Sequence, residues 1–251
     1  MRSFSRFSRS ARSTRYSMFP QVDVLAIGAH PDDVELGCGG TLLKLRSLGR
    51  KTAVADLTRG EMGTRGTPET RLEEALESAE ILGLAFRTNL ELEDGDIPVD
   101  KVSREKLIRV IRDCRPRMVL THSPIGHPDH GKASKLVEEA VHHSGLARIE
   151  TGQERYRPDR IGFWLQPNHV AVPQVVVDIT DFYEQKEAAI RAYRSQLFDP
   201  SSKDPQNYLS QPDFLARIRS FHHYLGSCAR CGYAEGFTFS RPAKVVDISL
   251  C

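Results

Sequence analysis

The chain has 251 residues, 39% hydrophobic and 27% charged, a composition that suits one large soluble domain or two small ones. It excludes collagen-like, disulfide-dense and wholly disordered classes, and no apolar run approaches the roughly 18 residues of a membrane-spanning helix. The formal charge of +2 hints at an anionic partner, but five arginines and no acid lie in residues 1–17; without them 30 basic side chains face 33 acidic ones.

The expected domain is therefore slightly acidic, and neither a nucleic-acid nor a membrane partner is expected. Residues 1–17 are Arg/Ser-rich like a transit peptide, and equally like a disordered extension or an upstream start before Met18. A dispensable tail followed by a single domain over 18–251 is the favoured reading. Five scattered cysteines fit a reducing compartment, and a cytoplasmic location is expected. Cys228 and Cys231 form one CxxC, with no second pair to complete a structural zinc site.

From residue 22 the pattern becomes regular. VDVLAIGA (22–29) reads as a buried strand. Leu42, Leu45 and Leu48 give 38–49 helical spacing, closed by Gly49. TAVADLT (52–58) reads as a second strand, and a Gly-rich loop over 59–67 leads to a helix opening at Thr67-Pro68 and ending at Gly83. A helix over 101–114, a strand over 117–122 and a helix over 130–144 follow. The stretch 161–180 reads as β-rich, and 181–195 and 212–225 as helices. Strands alternating with helices predict an α/β fold, a mostly parallel sheet with helices on both faces.

Two clusters carry the chemistry. His30-Pro31-Asp32-Asp33 follows the first strand, and His122, then His127-Pro128-Asp129-His130, follow the strand at 117–122. Ligands of open α/β sheets bind outside the carboxyl ends of strands, so both clusters can converge on one ion. Asp32 or Asp33 acting only as a helix cap is the bland alternative. Two imidazoles and one carboxylate around a catalytic zinc leave a spare carboxylate and a spare imidazole, the base and acid that amide hydrolysis needs. The same donors accept Fe2+, Mn2+ or Co2+. The remaining histidines (His142, His143, His169, His222, His223) read as bystanders, His169 being an outside candidate for lining a pocket. Gly37, Gly39 and Gly40 match neither a dinucleotide fingerprint nor a P-loop; they read as room for backbone beside the metal loop.

The stretch GAHPDDVELGCGGTLLKL (28–45) with HPDH (127–130) resembles the PIG-L/LmbE-type zinc-dependent N-acetylglucosaminide deacetylases. GTPETRLEEA (66–75), AYRSQ (192–196) and GYAEGF (232–237) point within that family to the bacillithiol-pathway branch, which acts on N-acetylglucosaminyl malate. The resemblance implies a Rossmann-like fold, metal ligands His30, Asp33 and His130, and Asp32 as the general base. It also implies His127 as the group stabilising or protonating the intermediate, Asp129 as its orienting partner, and substrate contacts from Arg71 and Tyr193. It implies a homo-oligomer, hexameric in that branch. Gly126 departs from the pattern, since the branch places a malate-binding arginine there; Arg65 or Arg71 is the expected substitute. The alternative substrates are a mycothiol-type conjugate, another GlcNAc glycoside or a chitooligosaccharide.

Overall fold

The computed structural model describes residues 17–167 and 171–242. Most of the predicted tail and His169 fall outside them. The strands are β1 (Val24–Gly28), β2 (Thr52–Thr58), β3 (Phe86–Leu92), β4 (Met118–His122), β5 (Arg160–Trp164), β6 (Val175–Asp178) and β7 (Ala234–Phe239). The helices are α1 (Asp33–Ser47), α2 (Pro68–Leu82), α3 (Lys101–Cys114), α4 (Pro128–Ser144), α5 (Tyr183–Arg191) and α6 (Phe214–Ala229). The strands form one sheet ordered β3-β2-β1-β4-β5-β7-β6. The first five are parallel, while β7 runs antiparallel to both β5 and β6. The expected α/β class is thus the observed one.

The centre of the sheet explains the unbroken apolar runs. In β1, Leu25 and Ile27 enter one core with Leu107 and Ile111 of α3 and Leu136 and Val137 of α4. Val24 and Ala26 enter the opposite core with Val34 and Leu42 of α1, Leu82 of α2 and Ala189 of α5. Both faces are covered, so β1 has no solvent side to mark with polar residues.

Strand order reverses between β1 and β4, which pair in parallel with Ile27 opposite Thr121. Their carboxyl ends therefore open side by side at the topological switch point. That register brings two motifs about a hundred residues apart in sequence to one place.

Several expectations need correction. The helix predicted over 38–49 begins at Asp33, directly at the end of HPDD, and contains the whole glycine cluster. Those glycines do not serve the metal loop. A Cβ on Gly37 would lie 2.4 Å from Cδ1 of the buried Trp164, and one on Gly40 would lie 2.7 Å from Cδ1 of Ile179. They let α1 press against β5 and the chain after β6. Gly37→Ala, which helix propensity alone would favour by about 1 kcal/mol, is expected to destabilise by about 1–3 kcal/mol through overpacking. A lowered urea midpoint at unchanged m-value checks this.

The helix predicted over 181–195 is a 3-10 turn (Thr180–Phe182) followed by the shorter α5. The β-rich 161–180 stretch is two strands. β3 and β7 are additional to the predicted elements.

Candidate metal centre

β1 delivers Ala29 and His30 to the switch point, and Pro31 turns the chain. Asp32 occupies φ 112°, ψ −26°, a region that costs a non-glycine residue of order 1–3 kcal/mol. What holds it there is Arg71 of α2, whose Nη2 donates to the Pro31 carbonyl at 2.6 Å and to Asp32 Oδ2 at 3.1 Å, while Nη1 donates to the Gly60 carbonyl. Asp32 Oδ1 has no protein hydrogen bond among the described residues. Burial pushes the Asp32 carboxyl up to about 7, against the pull of the Arg71 charge.

Asp33 opens α1 and stands at the centre of the imidazoles. His30 Nδ1 lies 3.3 Å from its Oδ2, His122 Nε2 lies 3.2 Å from the same oxygen, and His130 Nε2 lies 3.2 Å from Oδ1. Burial opposes its charge, but the neighbouring imidazoles, His130 foremost, outweigh burial and hold the carboxyl well below the usual range. The ligating atoms offered by His30, Asp33 and His130 lie within 4.8 Å of one another. Two imidazoles and one carboxylate facing inward are the donor chemistry of a catalytic zinc site. These residues therefore fit a divalent ion such as Zn2+.

His122 lies in the same cluster, and the structure shows why it differs from the other two. Its Nε2 already accepts the Ala29 N–H at 3.0 Å, so that lone pair is engaged. Its ring stacks on His130 at a centroid distance of 3.9 Å and meets Trp164 edge-on at 4.7 Å. Burial drives its pKa down to about 4, so the ring is a neutral wall.

The far side of His30 holds a partner that the sequence does not single out. Its Nε2 faces Asp94 Oδ1 at 3.0 Å and Asp129 Oδ2 at 3.4 Å. Burial disfavours a charged His30, yet Asp129, Asp33 and Asp94 together raise its pKa well above the ordinary value. Asp94 sits in the acidic stretch ELEDGD, where nothing local sets it apart. Asp129, expected to orient His127, places its carboxylate elsewhere: on His30 and on the Gly95 N–H at 2.9 Å. What reaches His127 is the Asp129 backbone N–H, 3.3 Å from Nδ1. The reason is that His127 and Asp129 form the start of α4, where the His127 ring takes the capping position.

His127 is solvent-exposed, with its ring centroid 5.8 Å from that of His30 and 5.3 Å from that of His130. Burial, then the neighbouring imidazoles of His130 and His30, lower its pKa. With Nδ1 accepting, the neutral ring carries its proton on Nε2.

The residues expected to contact substrate are held by protein partners. Arg71, Arg65 and Tyr193 are all buried. Arg65 donates to the carbonyls of Ser195 and Leu197, and the Tyr193 hydroxyl lies 3.1 Å from Glu35 Oε1. The AYRSQ segment thus braces the loop after β2 and the base of α1. Arg71→Met is expected to lower kcat about ten- to a hundredfold with little change in KM, because its contacts are with Asp32 and its loop. Since the Arg71 charge lowers the Asp32 pKa, its removal moves the acidic limb of the pH profile to higher pH. A raised KM with unchanged kcat and profile would instead mark a substrate contact.

Among the described residues, the two groups arranged to hold a metal both contain His30; the CxxC cysteines and the remaining histidines join neither. His142, His143 and His223 stay away from the cluster, and His222 is buried beside Lys186. A cavity of about 660 Å3 lies at the opposite, amino end of β1, lined by Val24, Leu45, Met118 and Phe239; it contains no histidine.

Comparison with known proteins accords with this geometry. Residues 25–141 match the family model described as GlcNAc-PI de-N-acetylase (PIG-L). A diacetylchitobiose deacetylase of Thermococcus kodakarensis is 34% identical, covering 86% of this chain and 82% of that protein. A probable N-acetyl-alpha-D-glucosaminyl L-malate deacetylase of Bacillus cereus is 31% identical, covering 69% of this chain and 83% of that protein. A conserved protein of Thermus thermophilus superposes with a TM-score of 0.81 at 39% identity, over 91% of this chain and 99% of that one. Motifs, fold and this similarity over most of the chain agree: the chain belongs to the PIG-L de-N-acetylase family.

Proposed function

We propose that this protein is a divalent-metal-dependent hydrolase that removes the N-acetyl group of a GlcNAc conjugate, with a neutral saccharide-like aglycone ahead of malate. The observation carrying the reaction is the convergence of His30, Asp33 and His130 with two further groups, Asp32 and His127, at the same strand ends. Simple metal storage gives no reason for that surplus pair.

A bound divalent ion supplies Lewis acidity, polarising the amide carbonyl and making water a stronger acid. His30, Asp33 and His130 would hold it. Asp129 and Asp94 fix the His30 ring by taking its Nε2 proton in a hydrogen bond, an arrangement that also raises the basicity of the opposite nitrogen. Asp32 takes the proton of the attacking water through its unbonded Oδ1. The negative charge that develops on the carbonyl oxygen meets the Nε2–H of His127, and the departing sugar nitrogen takes the proton that Asp32 removed from the water. Acetate and a free amine result.

Two observations favour the neutral aglycone over the malate expected from sequence. The diacetylchitobiose deacetylase shares more identity over more of the chain. Gly126 sits at φ 121°, a backbone conformation that an arginine rarely adopts, and the two substitute arginines are buried on protein carbonyls. The family's homo-oligomeric habit belongs to the same proposal and is tested by sedimentation. No helix among the described residues is long and apolar enough to cross a membrane.

Acetate release from N,N'-diacetylchitobiose, a neutral GlcNAc glycoside and N-acetylglucosaminyl malate tests the reading. The neutral substrates are expected to show at least about tenfold higher kcat/KM, the worth of one charge-assisted contact. A preference for the malate conjugate overturns the aglycone assignment. No acetate from any of them overturns the reaction.

A further inference from the structure

α1 is broken one turn from its start. Cys38 has φ −148°, ψ 17°, outside the helical region. Such a break separates Leu36 C=O from Gly40 N–H, the two halves of one helical hydrogen bond. Both groups find new partners. The Lys186 ammonium, from α5, donates to Leu36 O at 2.9 Å. The Glu235 carboxylate, from β7, accepts from Gly40 N at 2.9 Å and Thr41 N at 2.7 Å. Lys186 and Glu235 are themselves ion-paired, and the Lys186 and Glu235 side chains are fully buried. His222 Nε2 takes a further contact with Lys186 at 3.2 Å.

We infer that the buried Lys186–Glu235 pair, inserted into this severed helical bond, is a positioning device for the metal centre. This rests on the metal reading above. The short segment ahead of the break carries Asp33, so its direction decides where that carboxylate points. In a continuous helix, Leu36 O and Gly40 N would bond each other and the first turn would take the axis of the rest. A buried ion pair is an expensive way to gain stability alone. Here its oxygens and ammonium are shaped to the free ends of a broken helix, with the Glu235 charge on the new N-terminus of the second segment and the Lys186 charge on the carbonyl end of the first.

The test uses full-length protein, with zinc affinity measured by chelator competition alongside apo-protein Tm, kcat and KM. Glu235→Gln keeps the shape but meets two N–H donors with only one oxygen. Lys186→Met/Glu235→Gln removes both charges, so that an unpaired buried charge does not prevent folding. Arg112→Met serves as the stability control: Arg112 of α3 ties the Ser144, Leu146 and Ile149 carbonyls and touches nothing at the centre. Both pair variants are expected to weaken zinc binding by about 10- to 100-fold and to lower kcat with KM little changed, whereas Arg112→Met lowers Tm and leaves zinc affinity alone. If the pair variants bind zinc within about twofold of wild type, or lose no more affinity than Arg112→Met at matched Tm loss, the inference falls. Wild type that binds no zinc overturns the metal reading and this inference together; wild type that binds, with unaffected variants, overturns this inference alone.

Discussion

Asp32→Asn is expected to keep its metal and lose activity by about 10²- to 10⁴-fold, the usual contribution of a positioned general base. The substitution suits the site. Asparagine is among the few residues that tolerate positive φ, so the φ 112° turn survives, and its side-chain oxygen can still accept from Arg71. Only the capacity to take a proton is removed. The wild-type carboxyl, driven up to about 7 by burial with the Arg71 charge opposing, is matched to accept a proton near neutral pH. Zinc content after gel filtration and single-turnover acetate release separate the two functions. Full turnover by the variant would remove Asp32 from the role.

His30→Ala is expected to lose both metal and activity, and to destabilise the metal-free protein as well. In the absence of a cation, His30 is the positive group shared by Asp33, Asp94 and Asp129, each within 3.4 Å of one of its ring nitrogens. Removing it leaves three buried or nearly buried carboxylates facing one another. Loss of one partner of a buried charge cluster typically costs about 3–5 kcal/mol, and the apo Tm should fall accordingly. Added zinc should restore neither binding nor Tm to the wild-type values. Stoichiometric zinc in His30→Ala would show that the ligand set lies elsewhere.

The parts of this structure that are legible in the sequence share one property: their information is local. HPDD follows an unbroken apolar run, HPDH follows another, and parallel strands buried on both faces advertise themselves by that run. β3 does not, because FRTNLEL mixes polar and apolar residues; Arg87 is buried there only because Asp56 and Glu35 meet it. β7 is hidden because AEGFTF contains Glu235, whose burial makes sense only beside Lys186 and the broken α1. The site shows the same division. The two clusters stand out by their place after strands and the family resemblance picks His30, Asp33 and His130 from them, whereas Asp94 and the different fate of His122 depend on which neighbours tertiary packing supplies. Arg65, Arg71 and Tyr193 are singled out by way of the family resemblance, while the protein partners that bury them are supplied by tertiary packing.

The brace has a consequence for how the protein is made. Every candidate catalytic and ligating residue is synthesised by residue 130, yet Gly40 is held by Glu235, 195 positions later, and Glu35 by Tyr193, 158 positions later. Contacts of such separation close late, because the intervening chain must be ordered first. A nascent chain therefore displays all its metal-binding side chains long before β7 emerges to fix their direction. If the Lys186–Glu235 pair positions the centre, a fragment ending after α4 is expected to carry the whole motif without binding the ion in working geometry.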